Sequence, residues 1–133
     1  MIEIFTDGSS LGNHCQGVFA AILKFGTTEK ILKVGEPNTT NNRMEMRAVI
    51  EALKTIKKHD IPITVYSDSS LVIRTMTDGW KKKMNLDLWA ELADVSGGLT
   101  ITWKWVRGHA GHPENTRVDK LAVGEAKKQK KSL

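Results

Sequence analysis

The sequence predicts an α/β domain built on a five-stranded mixed sheet, in which three antiparallel strands are followed by parallel strands and helices flank the sheet. Residues 1–34 contain three apolar runs separated by turn-forming residues, the pattern of an antiparallel meander. The rest of the chain alternates amphipathic helical periodicity with short apolar runs of strand length. Strands separated by helices in this way are typical of parallel crossover connections.

The meander is predicted from residues 2–6, Val18 to Phe25 and Lys30 to Val34. Thr6-Asp7-Gly8-Ser9-Ser10 has turn composition and is expected to end the first strand. Gly26-Thr27-Thr28 separates the second strand from the third.

A helix is predicted after Thr39-Thr40-Asn41-Asn42 and continues to about His59. Glu45 lies on its apolar face, together with Ala48, Val49, Ala52 and Ile56. Two interpretations of Glu45 stay open. It can form a capping box with Asn42 as the N-cap, or it can be a site carboxylate on a buried face.

The next strand, Ile61 to Ser67, ends at Asp68, and a helical pattern follows from Ser69 to Met76. Asp68 can be the N-cap of that helix. Alternatively, Asp7 and Asp68 lie together at the carboxyl ends of parallel strands, where open α/β sheets bind their ligands.

Three further elements complete the predicted domain. Leu86 to Val95 forms a short helix, Leu99 to Trp105 alternates as a strand, and a last helix spans roughly residues 115–130. The alternation directs Trp103 and Trp105 toward the core.

Composition bounds the class of protein. One domain is predicted over residues 1–133. No apolar run approaches the ~20 residues of a membrane span, so no membrane partner is expected. The chain enters a strand-like segment at once, which argues against a secretory signal. A lone Cys15 excludes an internal disulfide and suits a reducing compartment, so a cytoplasmic location is predicted.

The net charge of +5 is concentrated near the end of the sequence, where residues 99–133 hold 8 Lys or Arg against 3 Asp or Glu. Such an excess indicates a polyanionic partner such as nucleic acid, or a solvated helix end. Trp80, followed by three lysines, is a candidate contact for a nucleic-acid strand, with an aromatic loop anchor as the alternative.

Four acidic residues, Asp7, Glu45, Asp68 and Asp119, are candidates for one site. Four carboxylates at one sheet end repel each other, so a cation or a raised pKa must offset the repulsion. Hard oxygen ligands without Cys or clustered His favour Mg²⁺ or Mn²⁺ over Zn²⁺.

The chain resembles the type 1 ribonuclease H family over essentially its whole length. Four motifs carry the resemblance in order: Ile4-Phe5-Thr6-Asp7-Gly8-Ser9, Thr40-Asn41-Asn42-Arg43-Met44-Glu45, Tyr66-Ser67-Asp68-Ser69 and Gly108-His109-Ala110-Gly111-His112-Pro113-Glu114-Asn115, with Asp119 following. The resemblance implies a ribonuclease H-like fold and endonucleolytic cleavage of the RNA strand of RNA/DNA hybrids, which leaves 5′-phosphate and 3′-hydroxyl ends.

The resemblance also implies a catalytic set with two Mg²⁺ ions, for which Mn²⁺ can substitute. Asp7 would be shared by both ions, Glu45 and Asp68 would hold the ion near the leaving group, and Asp119 the ion near the water. His109 would assist proton transfer or product release.

Substrate contacts are implied for a further set of positions. Asn13, Asn41 and Asn42 would lie in the minor groove of the hybrid and Thr40 would bind a phosphate, with Ser10 and Ser70 as further contacts. Turn and cap chemistry is an alternative role for the asparagines. We expect a monomer, with association to a polymerase or reverse transcriptase left open.

The sequence departs from the family in its basic protrusion, which is shortened here to Trp80-Lys81-Lys82-Lys83-Met84-Asn85. Weaker and more salt-sensitive duplex binding is therefore expected. A rival interpretation is a catalytically silent nucleic-acid-binding module on the same fold, which the four intact acids disfavour. An integrase-like or exonuclease-like protein is disfavoured by the turn Gly108-His109-Ala110-Gly111-His112.

Overall fold

The computed structural model describes residues 1–10, 15–57, 60–79 and 84–106, so the helix predicted near residues 115–130 lies outside the described part. Five strands and three helices are present in these ranges. In chain order they are β1 (Ile2–Ser10), β2 (Cys15–Phe25), β3 (Thr28–Thr39), α1 (Asn41–Lys54), β4 (Ile63–Ser67), α2 (Ser70–Asp78), α3 (Leu86–Ser96) and β5 (Ile101–Trp105).

The strands form one sheet in the order β3-β2-β1-β4-β5. The pairs β1–β2 and β2–β3 are antiparallel, whereas β1–β4 and β4–β5 are parallel. The predicted five-stranded mixed sheet is therefore confirmed. Its central strand is β1, which has an antiparallel neighbour on one side and a parallel neighbour on the other.

The first strand is longer than predicted. β1 remains paired with β2 up to Ser10, which is opposite Gly17, whereas its pairing with β4 ends at Thr6 opposite Ser67. The turn expected at Asp7-Gly8 is therefore wrong, because β2 accompanies β1 past these residues. Asp7 is the first residue of β1 beyond its parallel partner.

The main core lies between the sheet and α1. Val49 and Ala52 are fully buried there and Ile56 packs against the same cluster, while Ala48 is fully buried in a smaller cluster with Phe19 and Met44. The predicted apolar face of α1 is therefore confirmed. The helix ends at Lys54 and not near His59. Its last turn closes at Thr55, whose hydroxyl donates to the Ala52 carbonyl oxygen at 2.7 Å.

The other face of the sheet has its own apolar layer. It includes Phe5, whose ring stacks on Tyr66 with centroids 4.7 Å apart, and three β2 residues, Val18, Ala20 and Ile22. Successive residues of a strand point to opposite faces, so the intervening β2 residues Ala21 and Leu23 belong to the main core.

One prediction about β5 is wrong. Trp103 is partly buried and packs against the main core, but Trp105 is 47% exposed. Trp105 pairs with Ser67 at the last rung of the β4–β5 ladder, beyond the apolar side chains of Val65 and Trp103. None of the helices in the described ranges has the length and apolar character needed to cross a membrane.

Candidate active site

Two carboxylates occupy the positions where the central parallel strands stop pairing. Asp7 follows the last β1 residue paired with β4, and Asp68 follows the last residue of β4. Asp7 is buried and Asp68 is half-buried. The crossover topology thus brings two acids that are distant in sequence to one edge of the sheet.

Asp68 does not cap α2. The N-cap is Ser69, whose hydroxyl oxygen accepts a hydrogen bond from the Val72 amide at 3.3 Å. The amide of Ser69 in turn donates to the hydroxyl oxygen of Ser67 at 3.1 Å. The N-cap interpretation of Asp68 is therefore wrong, since a neighbouring serine already fills that role.

Glu45 does not form a capping box. The N-cap of α1 is Thr40, whose hydroxyl oxygen accepts from the Arg43 amide at 3.3 Å, and Asn42 is already inside the helix. Instead, Oε1 of Glu45 accepts a hydrogen bond from the Gly8 amide at 3.0 Å. The carboxylate thus faces β1 and not its own helix terminus.

Glycine at position 8 makes this approach of α1 to β1 possible. A Cβ atom added there would lie 2.6 Å from both the Glu45 nitrogen and the Met44 carbonyl oxygen. These are backbone atoms in a buried helix, so they cannot move aside without shifting α1.

The three acids form one cluster. One carboxylate oxygen from each of Asp7, Glu45 and Asp68 lies within 4.8 Å of the other two. Burial raises the pKa of Glu45 well above its ordinary value, and repulsion from Asp68 and Asp7 raises it further. A hydrogen bond with the Asp7 side chain acts in the same direction, whereas the Gly8 amide opposes the rise.

The cluster has the properties of a divalent cation site. Oε2 of Glu45 is buried and has no hydrogen-bond donor among the described residues. Once both Glu45 and Asp7 are ionised they have no proton to share, so the Asp7 carboxylate cannot then satisfy this oxygen. Three hard oxygen ligands without sulfur or imidazole fit Mg²⁺ or Mn²⁺.

An open cleft of about 330 Å³ surrounds Glu45 and Asp68. Three of the predicted substrate contacts, Asn41, Asn42 and Ser70, line this cleft, together with Gly8, Ser69 and Leu71. Thr40 adjoins it as the N-cap of α1, and Ser10 is the last residue of β1. The remaining predicted site residues lie outside the described ranges: Asn13, Trp80, His109 and Asp119.

Sequence reasoning missed an ion pair beside the cleft. Arg43 donates to both carboxylate oxygens of Asp87, at 3.1 and 2.9 Å, and to the side-chain oxygen of Asn85 at 3.2 Å. The hydrogen bonds from Arg43 lower the pKa of Asp87 to about 2. A cation in the first turn of a helix interacts unfavourably with the helix dipole. The position of Arg43 in the sequence therefore indicates that it pairs with an acidic residue outside its own helix.

The sheet order and the carboxylate cluster together define the class of protein. It is an α/β protein with three carboxylates that could hold a divalent cation at the carboxyl ends of its central strands. Comparison with known proteins then identifies the family. The family model of RNase H matches residues 1–127. A Ribonuclease H of Helicobacter acinonychis is 51% identical over 135 residues, covering 96% of this chain and 94% of that protein. The chain belongs to the RNase H family.

Solved structures agree with this assignment. LC9-RNase H1, described as a type 1 RNase H with the type 2 active-site motif, superposes with a TM-score of 0.81 at 32% identity, covering 96% of this chain and 72% of that one. LC11-RNase H1, solved in complex with an RNA/DNA hybrid, has a TM-score of 0.83 at 23% identity and covers 97% of this chain and 99% of that one. The second likeness concerns the fold alone.

Proposed function

We propose that this protein hydrolyses the RNA strand of RNA/DNA hybrids at the cluster of Asp7, Glu45 and Asp68. One observation carries the proposal: three carboxylates from β1, α1 and the end of β4 converge within 4.8 Å beside an open polar cleft. A binding module would gain nothing from burying like charges together, because the repulsion destabilises the fold. The activity for which its close relatives are named supports the same conclusion.

The site is suited to two Mg²⁺ ions, with Mn²⁺ as a substitute. When bound, such ions activate the attacking water and relieve charge on the leaving oxygen. Asp7, Glu45 and Asp68 would hold them, with Asp119 as a fourth ligand. The Gly8 amide keeps the Glu45 carboxylate turned toward β1, where Asp7 lies.

Products with 5′-phosphate and 3′-hydroxyl ends follow if water adds to phosphorus and the bond to the 3′-oxygen breaks, with a proton taken up by that oxygen. We assign the assistance of proton transfer or product release to His109, because an imidazole side chain can both donate and accept a proton.

Recognition of the hybrid is assigned to the polar cleft. The amides of Asn41 and Asn42 offer both donors and acceptors to a minor groove, where the 2′-hydroxyl distinguishes RNA from DNA. Ser70 adjoins Asp68 in the same cleft. Further contacts are proposed for Ser10, Asn13, Thr40 and Trp80.

We propose that the chain acts as one domain over residues 1–133, as a monomer and in the cytoplasm. The family match across residues 1–127 supports the single domain. A lone cysteine suits a reducing compartment. Association with a polymerase or reverse transcriptase is a separate question for pull-down experiments.

Cleavage of an end-labelled RNA/DNA hybrid, beside RNA/RNA, DNA/DNA and single-stranded RNA, tests the proposal. Only the RNA strand of the hybrid should be cut, and EDTA or Asp68→Asn should abolish the cut. Asp94→Asn, which removes an exposed charge on α3, is the matched control and should cleave normally. Hybrid binding without cleavage in both Mg²⁺ and Mn²⁺ would instead identify a silent binding module.

A further inference from the structure

An exposed tryptophan contacts the backbone of one of the site carboxylates. The indole Nε1 of Trp105 donates a hydrogen bond to the carbonyl oxygen of Asp68 at 3.1 Å. Trp105 is 47% exposed, so burial of its ring contributes less to the core than the burial of a typical tryptophan. The indole N–H, and not the buried area, is therefore the distinctive feature of this residue.

This hydrogen bond lies just beyond the last paired residues of β4 and β5. Regular pairing between β4 and β5 ends with Ser67 opposite Trp105, and the Val106 amide donates to the Ser67 carbonyl oxygen at 2.9 Å. The indole N–H of Trp105 adds one more hydrogen bond, to the carbonyl oxygen of Asp68, one residue beyond Ser67. The carbonyl of Asp68 is thus tied to β5 just where the chain leaves the sheet for α2.

Asp68 needs such a tie because it belongs to no regular element. It lies between the end of β4 and Ser69, the N-cap of α2, and its side chain must reach Asp7 and Glu45 against their repulsion. Water could satisfy its carbonyl oxygen equally well, so the indole is not required for folding. What the indole supplies is a fixed backbone position from which the carboxylate extends.

We propose that Trp105 is a positioning residue that holds Asp68 in the geometry required to bind the divalent cation. The inference rests on the proposed ligand role of Asp68. Groups that orient metal ligands without touching the metal commonly change metal affinity or activity by about 10-fold to 100-fold when they are removed.

Two tryptophans on the same strand provide a matched test. Trp105→Phe removes the donor and keeps an aromatic ring, whereas Trp103→Phe reduces a ring that packs against the main core. Mg²⁺ affinity is measured without substrate, from the shifts of backbone amide signals in NMR titrations, and stability by thermal unfolding in EDTA. Trp105→Phe should weaken Mg²⁺ binding about 10-fold with little change in Tm. Trp103→Phe should lower Tm with little change in Mg²⁺ affinity.

A replacement of a single atom separates the donor from the ring. Benzothienylalanine at position 105 replaces the indole N–H with sulfur and preserves the bicyclic shape, so it should reproduce the loss seen with Trp105→Phe. Unchanged Mg²⁺ affinity in this variant would overturn the inference, even if Trp105→Phe failed to fold.

Asp68→Asn, measured in the same way, tells the two proposals apart. If Asp68→Asn binds Mg²⁺ as the wild type does, the ligand role of Asp68 fails, and the inference about Trp105 fails with it. If Asp68→Asn loses Mg²⁺ binding but benzothienylalanine at position 105 retains it, only the inference about Trp105 is overturned.

Discussion

The backbone amide of Gly8 donates a hydrogen bond to Oε1 of Glu45 at 3.0 Å and thereby joins the central strand to the first helix at the carboxylate cluster. This bond orients one oxygen of Glu45 and leaves the other, Oε2, buried without a donor among the described residues. The carboxylate is therefore held in place, but when it is ionised its charge has no compensating partner among the described residues. A divalent cation would remove this imbalance, and several measurable consequences follow from it.

The metal-free protein should lose stability as Glu45 ionises. Burial and neighbouring carboxylates raise the pKa of Glu45 above its ordinary value of 4.5, so the folded state binds this proton more tightly than the unfolded state. The free energy of unfolding contributed by this group is present at low pH and falls as pH rises from about 4.5 through the raised pKa. Urea unfolding in EDTA should show this decline.

Glu45→Gln tests this interpretation because it removes the titration. The variant should be more stable than the wild type at neutral pH in EDTA, while losing hybrid cleavage. Added Mg²⁺ should narrow the difference in stability by stabilising only the wild type. Parallel pH profiles for the two proteins would contradict the assignment of the decline to Glu45.

Gly8→Ala should disturb both the fold and the site. The new Cβ would meet the backbone of Met44 and Glu45, so α1 must shift away from β1 at a cost of about 1–3 kcal/mol. The melting temperature and the rate of hybrid cleavage should both decline. Gly97→Ala is the control, because its nearest neighbour would lie 3.4 Å away, at ordinary van der Waals distance, and it should change neither measurement substantially.

Arg43→Gln should remove the ion pair that lowers the pKa of Asp87. The pKa of Asp87, about 2 in the presence of Arg43, should rise toward its ordinary value of 3.8, as followed by NMR titration of the side-chain carboxyl carbon. The stability that Asp87 contributes is present above the unfolded pKa and lost as pH falls through about 2, and the variant should lack this acid sensitivity. Lys54→Gln, which removes a different cation of α1, should leave the pKa of Asp87 unchanged.

Substitutions at Ser69 and Asp68 should have different effects on the stability of the metal-free protein. Ser69→Ala removes the cap of α2 and should cost about 1 kcal/mol. Asp68→Asn leaves that cap intact and reduces repulsion with Glu45, so it should be neutral or stabilising in EDTA. A loss of stability with Asp68→Asn as large as that with Ser69→Ala would mean that Asp68 supports α2 after all.

Periodicity was a good guide where burial alone determines the pattern. The apolar face of α1 follows from the helical spacing of its apolar residues, and the strands follow from short apolar runs, because one face of each element must leave water. Periodicity failed at the ends of elements. The strand β1 continues through Asp7-Gly8 because β2 runs beside it, and α1 ends at Lys54 because Thr55 closes the last turn.

The sequence by itself determined the family, the mixed sheet and the identity of the acidic residues, because residue types and their order along the chain carry this information. Only the tertiary structure decided between the two roles open to Glu45 and to Asp68. Glu45 accepts a hydrogen bond from the amide of Gly8, which is distant in the chain. Ser69 caps α2 through a local bond, and the folded sheet brings the free-standing Asp68 carboxylate close to those of Asp7 and Glu45. The contact of Trp105 with Asp68 belongs to the same class, since hydropathy alone assigned that ring to the core.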